Sequence, residues 1–123
     1  MRVVKKKVSE LRRRQLWGQD GVCCEPSDED VRKAIRSKQF EPRSFQDKAV
    51  EAELMGEQNV EKRLARIKEF HARRIAHLVE HGWSEPIELA GDGIWIIGGS
   101  HRLRAAQYAG TEEVPCIVRS QKS

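Results

Sequence analysis

Glycines and prolines divide the chain beyond residue 81 into short segments, which restricts what this part can form. These residues are Gly82, Pro86, Gly91, Gly93, Gly98, Gly99, Gly110 and Pro115. Three apolar segments between them predict short strands, the second of them buried: 87–89, 94–97 and 114–118. Residues 100–109 predict a helix that Gly110 ends. The spacing therefore predicts two strands, a helix and a final strand, in that order.

The middle of the chain carries the longest helical pattern. Apolar side chains, together with one histidine, recur at steps of three and four through residues 57–81. This stripe consists of Val60, Leu64, Ile67, His71, Ile75 and Leu78. The pattern predicts one long amphipathic helix.

The N-terminal half has weaker signals. Ser27 and Asp30 have the spacing of a capping box, which predicts a helix to about residue 38. The segment that starts Ser44-x-x-Asp47 predicts a second helix, ending near Gly56. Residues 18–26 are typical of a loop, whereas 2–17 fit either a strand or a helix.

The composition limits the class of protein. The 123 residues suit one domain with a modest core. No apolar run approaches the ~20 residues of a membrane helix, and no apolar segment of a signal peptide follows the basic N-terminus. The three cysteines lack the CxxC spacing of a zinc site. We therefore expect a cytoplasmic protein with reduced thiols, no membrane partner and no metal site built by the protein.

Positive charge is concentrated at the N-terminus. Seven of the first fourteen residues are basic: Arg2, Lys5, Lys6, Lys7, Arg12, Arg13 and Arg14. Such a segment would attract the phosphates of DNA, and basic residues of the long helix would add to it: Arg63, Arg66, Arg73 and Arg74. The alternative interpretation is a solvated, frayed terminus.

The main candidate site lies between the second predicted strand and the helix after it, in the run Gly98-Gly99-Ser100-His101-Arg102. Glycines let a backbone approach a ligand closely, and the first N–H groups of a helix favour anions. Cations in a first helical turn oppose the dipole at a cost of about 0.3–1 kcal/mol. His101 and Arg102 in this turn therefore indicate a phosphate site. They fit equally well a helix in which Ser100 is an ordinary N-cap and both cations project into water.

Three segments together resemble the ParB/sulfiredoxin superfamily: residues 74–89, 92–110 and 114–118. They share its order of helix, His-Gly, Pro-Ile strand, second strand, Gly-x-His-Arg box and Val-Pro strand. The resemblance implies an α+β fold, a small mixed β-sheet packed with helices, preceded by a mostly helical N-terminal region. It also implies a site for a nucleoside triphosphate, ATP or CTP with Mg²⁺, formed by Gly98, Gly99, Ser100, His101, Arg102 and Arg104.

The box departs from the superfamily at two positions. Sulfiredoxins carry their catalytic cysteine where this chain has Ser100, and a hydroxyl is a much weaker nucleophile than a thiolate. Sulfiredoxin activity is therefore not expected. Members that include a free-serine kinase carry an aspartate where this chain has Gly98. Its absence removes an obvious metal ligand or base.

Three functions follow as alternatives. The first is a nucleotide-binding, DNA-associated domain, with any NTPase reaction left open. The second is a DNA-binding protein or small ParB-like nuclease that uses the N-terminal basic residues. The third is a partner-binding module that has lost chemistry. If side chains of the protein itself fill the pocket of the candidate site and hold Arg102 in an internal carboxylate pair, the ligand-binding interpretation fails.

Overall fold

The computed structural model describes residues 2–13, 17–19 and 21–119. Its contacts divide the chain into two compact units, each described here by itself. The terminal unit comprises Met1–Arg14 and His81–Ser123, and the central unit comprises Gln15–Glu80. Arg14, one of the basic residues considered above, lies outside the described residues. The expectation of a single domain stays a prediction.

The described residues form short strands and four α-helices, which confirms the predicted α+β class. In chain order the elements are β1 (Val3–Lys7), β2 (Arg12–Arg13), β3 (Gly18–Gln19), β4 (Val22–Cys23), α1 (Asp28–Arg36), α2 (Lys48–Met55), α3 (Val60–His81), β5 (Ile87–Leu89), β6 (Trp95–Gly98), α4 (Ser100–Ala109) and β7 (Glu113–Val118). No helix within these described ranges is long and apolar enough to span a bilayer.

A mixed five-stranded sheet forms the terminal unit, in the order β1-β7-β5-β6-β2. β7 pairs antiparallel with β1 and parallel with β5, while β6 pairs antiparallel with β5 and parallel with β2. Alternation along β7 buries Val114 and Cys116 and exposes Pro115. Pairing with β5 begins at Cys116, so Pro115 lies just before that ladder, near the start of the strand where proline is tolerated, and it faces Lys5 of β1.

One face of this sheet carries the core of the terminal unit. Its buried members are Val8, Leu11, Ile87, Leu89, Ile96, Leu103, Ala106, Val114 and Cys116. The prediction that 94–97 is buried is wrong for much of the segment. Ile94 and Ile97 are 41% and 56% exposed, and only Ile96 is buried. A register shift at Glu88/Leu89 leaves Ile97 without a cross-strand partner, so it points away from the core.

The N-terminal residues belong to the sheet, so the strand interpretation of this segment is right and the frayed terminus is wrong. β1 pairs with β7 from Val3↔Ile117 to Lys7↔Glu113. β2 pairs with β6 at the other end of the strand order. The mostly helical region that was predicted upstream of the sheet is therefore confined to residues 28–81, after these two strands.

The central unit contains most of the helical residues. The predicted capping box is present at α1: Ser27 Oγ accepts from the Asp30 N–H, and Asp30 accepts from the Ser27 N–H. The second helix begins later than predicted, because Asp47, not Ser44, caps it by accepting from the N–H groups of Ala49 and Val50. The segment predicted as a loop contains the small hairpin β3–β4 around Gly21.

α3 confirms the long amphipathic helix, and most of its stripe is buried. Two residues near its start are not: Val60, in the first turn, is 49% exposed, and Leu64 is half-buried. His71 is buried beside the rings of Trp17 and Phe45, whose centroids lie 4.6 and 4.8 Å from its own. Its position on the apolar stripe is thus a packing position.

Candidate functional site

The turn between β6 and α4 depends on Gly99. This residue is the N-cap of α4 and has a φ of 99° and a ψ of 31°, a left-handed conformation that favours glycine. A Cβ there would lie 3.2 Å from Arg102 Nη1 and 3.3 Å from Ile87 Cγ1. Ser100 is the first helical residue, so the expectation that it acts as the N-cap is wrong. Gly99 brings no side chain to cap the first turn.

Gly98 has a different role from Gly99. It is the last residue of β6 and pairs with Glu88 of β5. A Cβ on Gly98 would lie 3.6 Å from Glu88 Oε2, a normal van der Waals distance. Gly98, where the resemblance led us to note a missing acid, therefore lies next to a carboxylate from the neighbouring strand. Arg119 orients that carboxylate: its Nε donates to Glu88 Oε2 at 3.3 Å, and its Nη2 forms an ion pair with Glu88 Oε1 at 3.2 Å.

Arg102 lies across the turn and is held there by the segment before β5. Its Nη1 donates to the Pro86 carbonyl oxygen at 2.9 Å, and its Nη2 donates to Glu85 Oε2 at 3.1 Å. The side chain of Arg102 is 22% exposed and that of Glu85 is 80% exposed. Arg102 does therefore have an internal carboxylate partner, but the pair is open to solvent on the Glu85 side, where ion pairs contribute about 0–1 kcal/mol.

The other predicted phosphate ligands occupy different surroundings. Ser100 and His101 are half-buried in the first turn of α4, which contains no acidic residue. Arg104 is buried, with an exposure of 8%, and its chain neighbours Leu103 and Ala105 are buried too. The structure thus brings Gly98, Gly99, Ser100, His101 and Arg102 together at one turn and places Arg104 in the interior.

The basic N-terminal residues that the structure describes are spread over two strands. Lys5 and Lys7 are exposed on the same face of β1, whereas Lys6 projects toward the turn at Gly93. Arg12 and Arg13 lie on β2, at the opposite edge of the sheet. Basic residues on edge strands also oppose unwanted strand pairing, so part of this charge has a structural explanation.

The arginines of α3 are engaged within the central unit. Arg63 donates to the Glu57 carbonyl oxygen, and Arg66 pairs with the Glu57 carboxylate at 3.8 Å. Arg73 pairs with Glu69 at 2.6 Å, and Arg74 donates to the Pro42 carbonyl oxygen at 2.7 Å. Each of these arginines therefore has a contact within the unit, and Arg63, Arg66 and Arg74 contact residues that precede α3.

Metal-ligating and redox-active side chains do not assemble in the part of the chain that the structure describes. No three His, Cys, Asp or Glu residues there form a group that could hold a metal ion. Cys23, Cys24 and Cys116 are free thiols, with Cys23 exposed. Burial raises the pKa of the Cys116 thiol, which keeps it protonated and unreactive at neutral pH.

Two residues of the site were missed by sequence reasoning. Glu85 and Glu88 are single acids in a short segment, with no motif around them that singles them out.

Comparison with known protein families finds a match for most of the chain. Residues 27–123 match the family model described as the ParB N-terminal domain. The match covers the turn, α4 and the strands beside them, and it leaves out β1 and β2. A search of curated proteins finds no match to the chain.

Proposed function

Because the chain belongs to the ParB N-terminal domain family, we propose that its Gly98–Arg102 turn binds the phosphates of a nucleoside triphosphate. The family that residues 70–119 suggested is thereby confirmed, and membership indicates a DNA-associated, ParB-like function. ATP or CTP, accompanied by Mg²⁺, is the ligand of this proposal.

The observation that carries the proposal is the first turn of α4. Gly99 supplies no capping side chain, and the turn contains no acid but does contain His101 and Arg102. The first N–H groups of a helix have no intrahelical acceptor, and the helix dipole favours an anion beside them. A phosphate there would receive backbone hydrogen bonds and lie between the dipole and the cationic side chains.

Arg102 is the side chain best placed to complete the site. Its Nη1 lies against Gly99, 3.2 Å from where a Cβ would stand. The guanidinium has five N–H donors, and the contacts described above use one on Pro86 and one on Glu85. A phosphate would replace Glu85 without moving the Pro86 contact. Mg²⁺ would enter with the nucleotide, since phosphate-bound Mg²⁺ needs few protein ligands.

Calorimetric titration with ATP, CTP and GTP, with and without Mg²⁺, tests the proposal. Loss of a charge-assisted contact in Arg102→Ala should weaken binding about 10- to 100-fold. Lys5→Ala removes one positive charge from an exposed position of the same unit and should bind as the wild type does. Absence of heat at millimolar nucleotide, or equal affinity of Arg102→Ala and wild type, would refute nucleotide binding here.

A second function, direct DNA binding, is favoured by Lys5 and Lys7. Both are exposed on one face of β1 and are about 7 Å apart along the strand. If they contact phosphates, Lys5→Gln/Lys7→Gln should lower the slope of log affinity against log salt by about 2. An unchanged slope would remove these lysines from any DNA interface. Deleting residues 1–14 is not a clean alternative, because it removes β1 and β2 from the sheet.

Cleavage is tested separately from binding. Incubation of DNA with the protein and Mg²⁺ or Mn²⁺ should yield fragments if the chain is a ParB-like nuclease. If titration, DNA binding and cleavage all fail, the third alternative, a partner-binding module without chemistry, is the one supported.

A further inference from the structure

We propose that Glu85 is an affinity-determining residue of the phosphate site: its carboxylate occupies Arg102 in the unliganded protein, and a ligand has to displace it. The inference rests on the proposed function, because it concerns the same guanidinium. The inference adds Glu85, which lies outside the glycine turn, and assigns to it the role of a competitor of the bound phosphate.

The two contacts of Arg102 differ in how readily they can be exchanged. The Pro86 acceptor is a backbone oxygen at the start of the segment that leads into β5, so its position is fixed by the sheet. The Glu85 acceptor is the end of a long side chain that is 80% exposed. The Pro86 contact orients Arg102, whereas the Glu85 side chain is free to move into solvent.

A carboxylate on the guanidinium imitates the anion that the site is proposed to bind. Carboxylates and phosphates both accept from the planar N–H fork of arginine. Glu85 precedes Pro86 in the chain, so its carboxylate has a high effective concentration at Arg102 and competes as an intramolecular ligand. The competition lowers the affinity for every phosphate compound that uses Arg102 Nη2.

The size of the effect follows from the exposure of the pair. Solvent-exposed ion pairs shift equilibria by about 1.5- to fivefold. Removing the charge in Glu85→Gln should therefore tighten phosphate binding about two- to fivefold. Glutamine preserves the length of the side chain and leaves the Pro86 contact in place.

Titration with inorganic triphosphate at about 0.15 M salt tests the inference without involving a base. At this ionic strength, charges more than about 8 Å apart are largely screened. Glu112→Gln is the matched control, because Glu112 is an exposed acid of the same unit, in the loop after α4. It loses the same charge and should leave the affinity unchanged. In an Arg102→Gln background, Glu85→Gln should have no effect on binding, as a double-mutant cycle requires of a direct pair.

The outcomes separate this inference from the proposed function. If wild-type binding depends on Arg102 but Glu85→Gln does not tighten it, the competitor role is refuted and the phosphate site stands. An equal gain in Glu112→Gln would also refute it, since the effect would then be one of net charge. If neither triphosphate nor nucleotide binds to any variant, both proposals fall.

Discussion

Acidification is expected to destabilise the central unit through His71. The side chain is 5% exposed, and the rings of Trp17, Phe45 and Phe70 have centroids 4.6, 4.8 and 6.0 Å from its own. Burial lowers the pKa of His71 from its ordinary value of 6.5 to about 4, because the charged imidazolium loses its hydration in this surrounding. Folding therefore requires the neutral ring.

The sign and the size follow from proton binding. Between pH 6.5 and pH 4 the unfolded chain holds a proton on His71 that the folded chain lacks, so the free energy of unfolding falls as the pH falls. Each pKa unit corresponds to about 1.4 kcal/mol. The free energy of unfolding therefore falls by about 2 kcal/mol between pH 7.5 and pH 5, and by about 3.4 kcal/mol once the pH is below both pKa values of His71.

Urea unfolding followed by circular dichroism at pH 7.5, 6.5 and 5 measures this loss. His71→Leu has no titrating ring and should lose about 2 kcal/mol less than the wild type over that range. The comparison uses the change with pH, so a uniform loss of stability in the variant does not affect it. Hydrogen bonding lowers the pKa of Asp30 and of Glu41, whose contributions are lost only at more acidic pH. Parallel pH profiles for the two proteins would refute the reasoning.

Two further predictions concern the glycine turn before α4 and the N-cap of α1. Gly99→Ala should lower the free energy of unfolding by about 1–3 kcal/mol, because it places a Cβ at positive φ and against Ile87. Gly98→Ala has normal contacts and should cost less, and an equal loss would contradict the assigned φ. Ser27→Ala should cost about 1 kcal/mol by removing the N-cap of α1. Thermal unfolding measures all three, and an unchanged melting temperature for Ser27→Ala would count against the capping box.

The C-terminal part of the fold was accessible from the sequence because its signals are local. Gly99 and Gly110 have positive φ at the two ends of α4, where the spacing predicted the ends of a helix. The apolar pattern of 87–89 and 114–118 likewise marked β5 and β7. In these segments each residue type reports on its own backbone conformation or on its near neighbours.

The remainder depends on contacts between distant residues. The segment Val3–Lys7 has no alternation of apolar and polar residues that would distinguish a strand from a helix. Its strand conformation depends on pairing with Glu113–Val118. The partners of Arg102 are also remote, since Pro86 and Glu85 precede it by 16 and 17 residues. Whether a guanidinium meets solvent, a ligand or a carboxylate depends on which loop lies beside it. The motif predicted that Arg102 belongs to the site, but not that Glu85 shares it.

The pairing of β1 with β7 also constrains how the nascent chain acquires its structure on the ribosome. Residues 3–7 are synthesised well before β7, their partner strand in the described sheet. All residues of the central unit emerge before that partner does. β1 must remain unpaired until β7 has been synthesised, and its three consecutive lysines oppose aggregation in that interval.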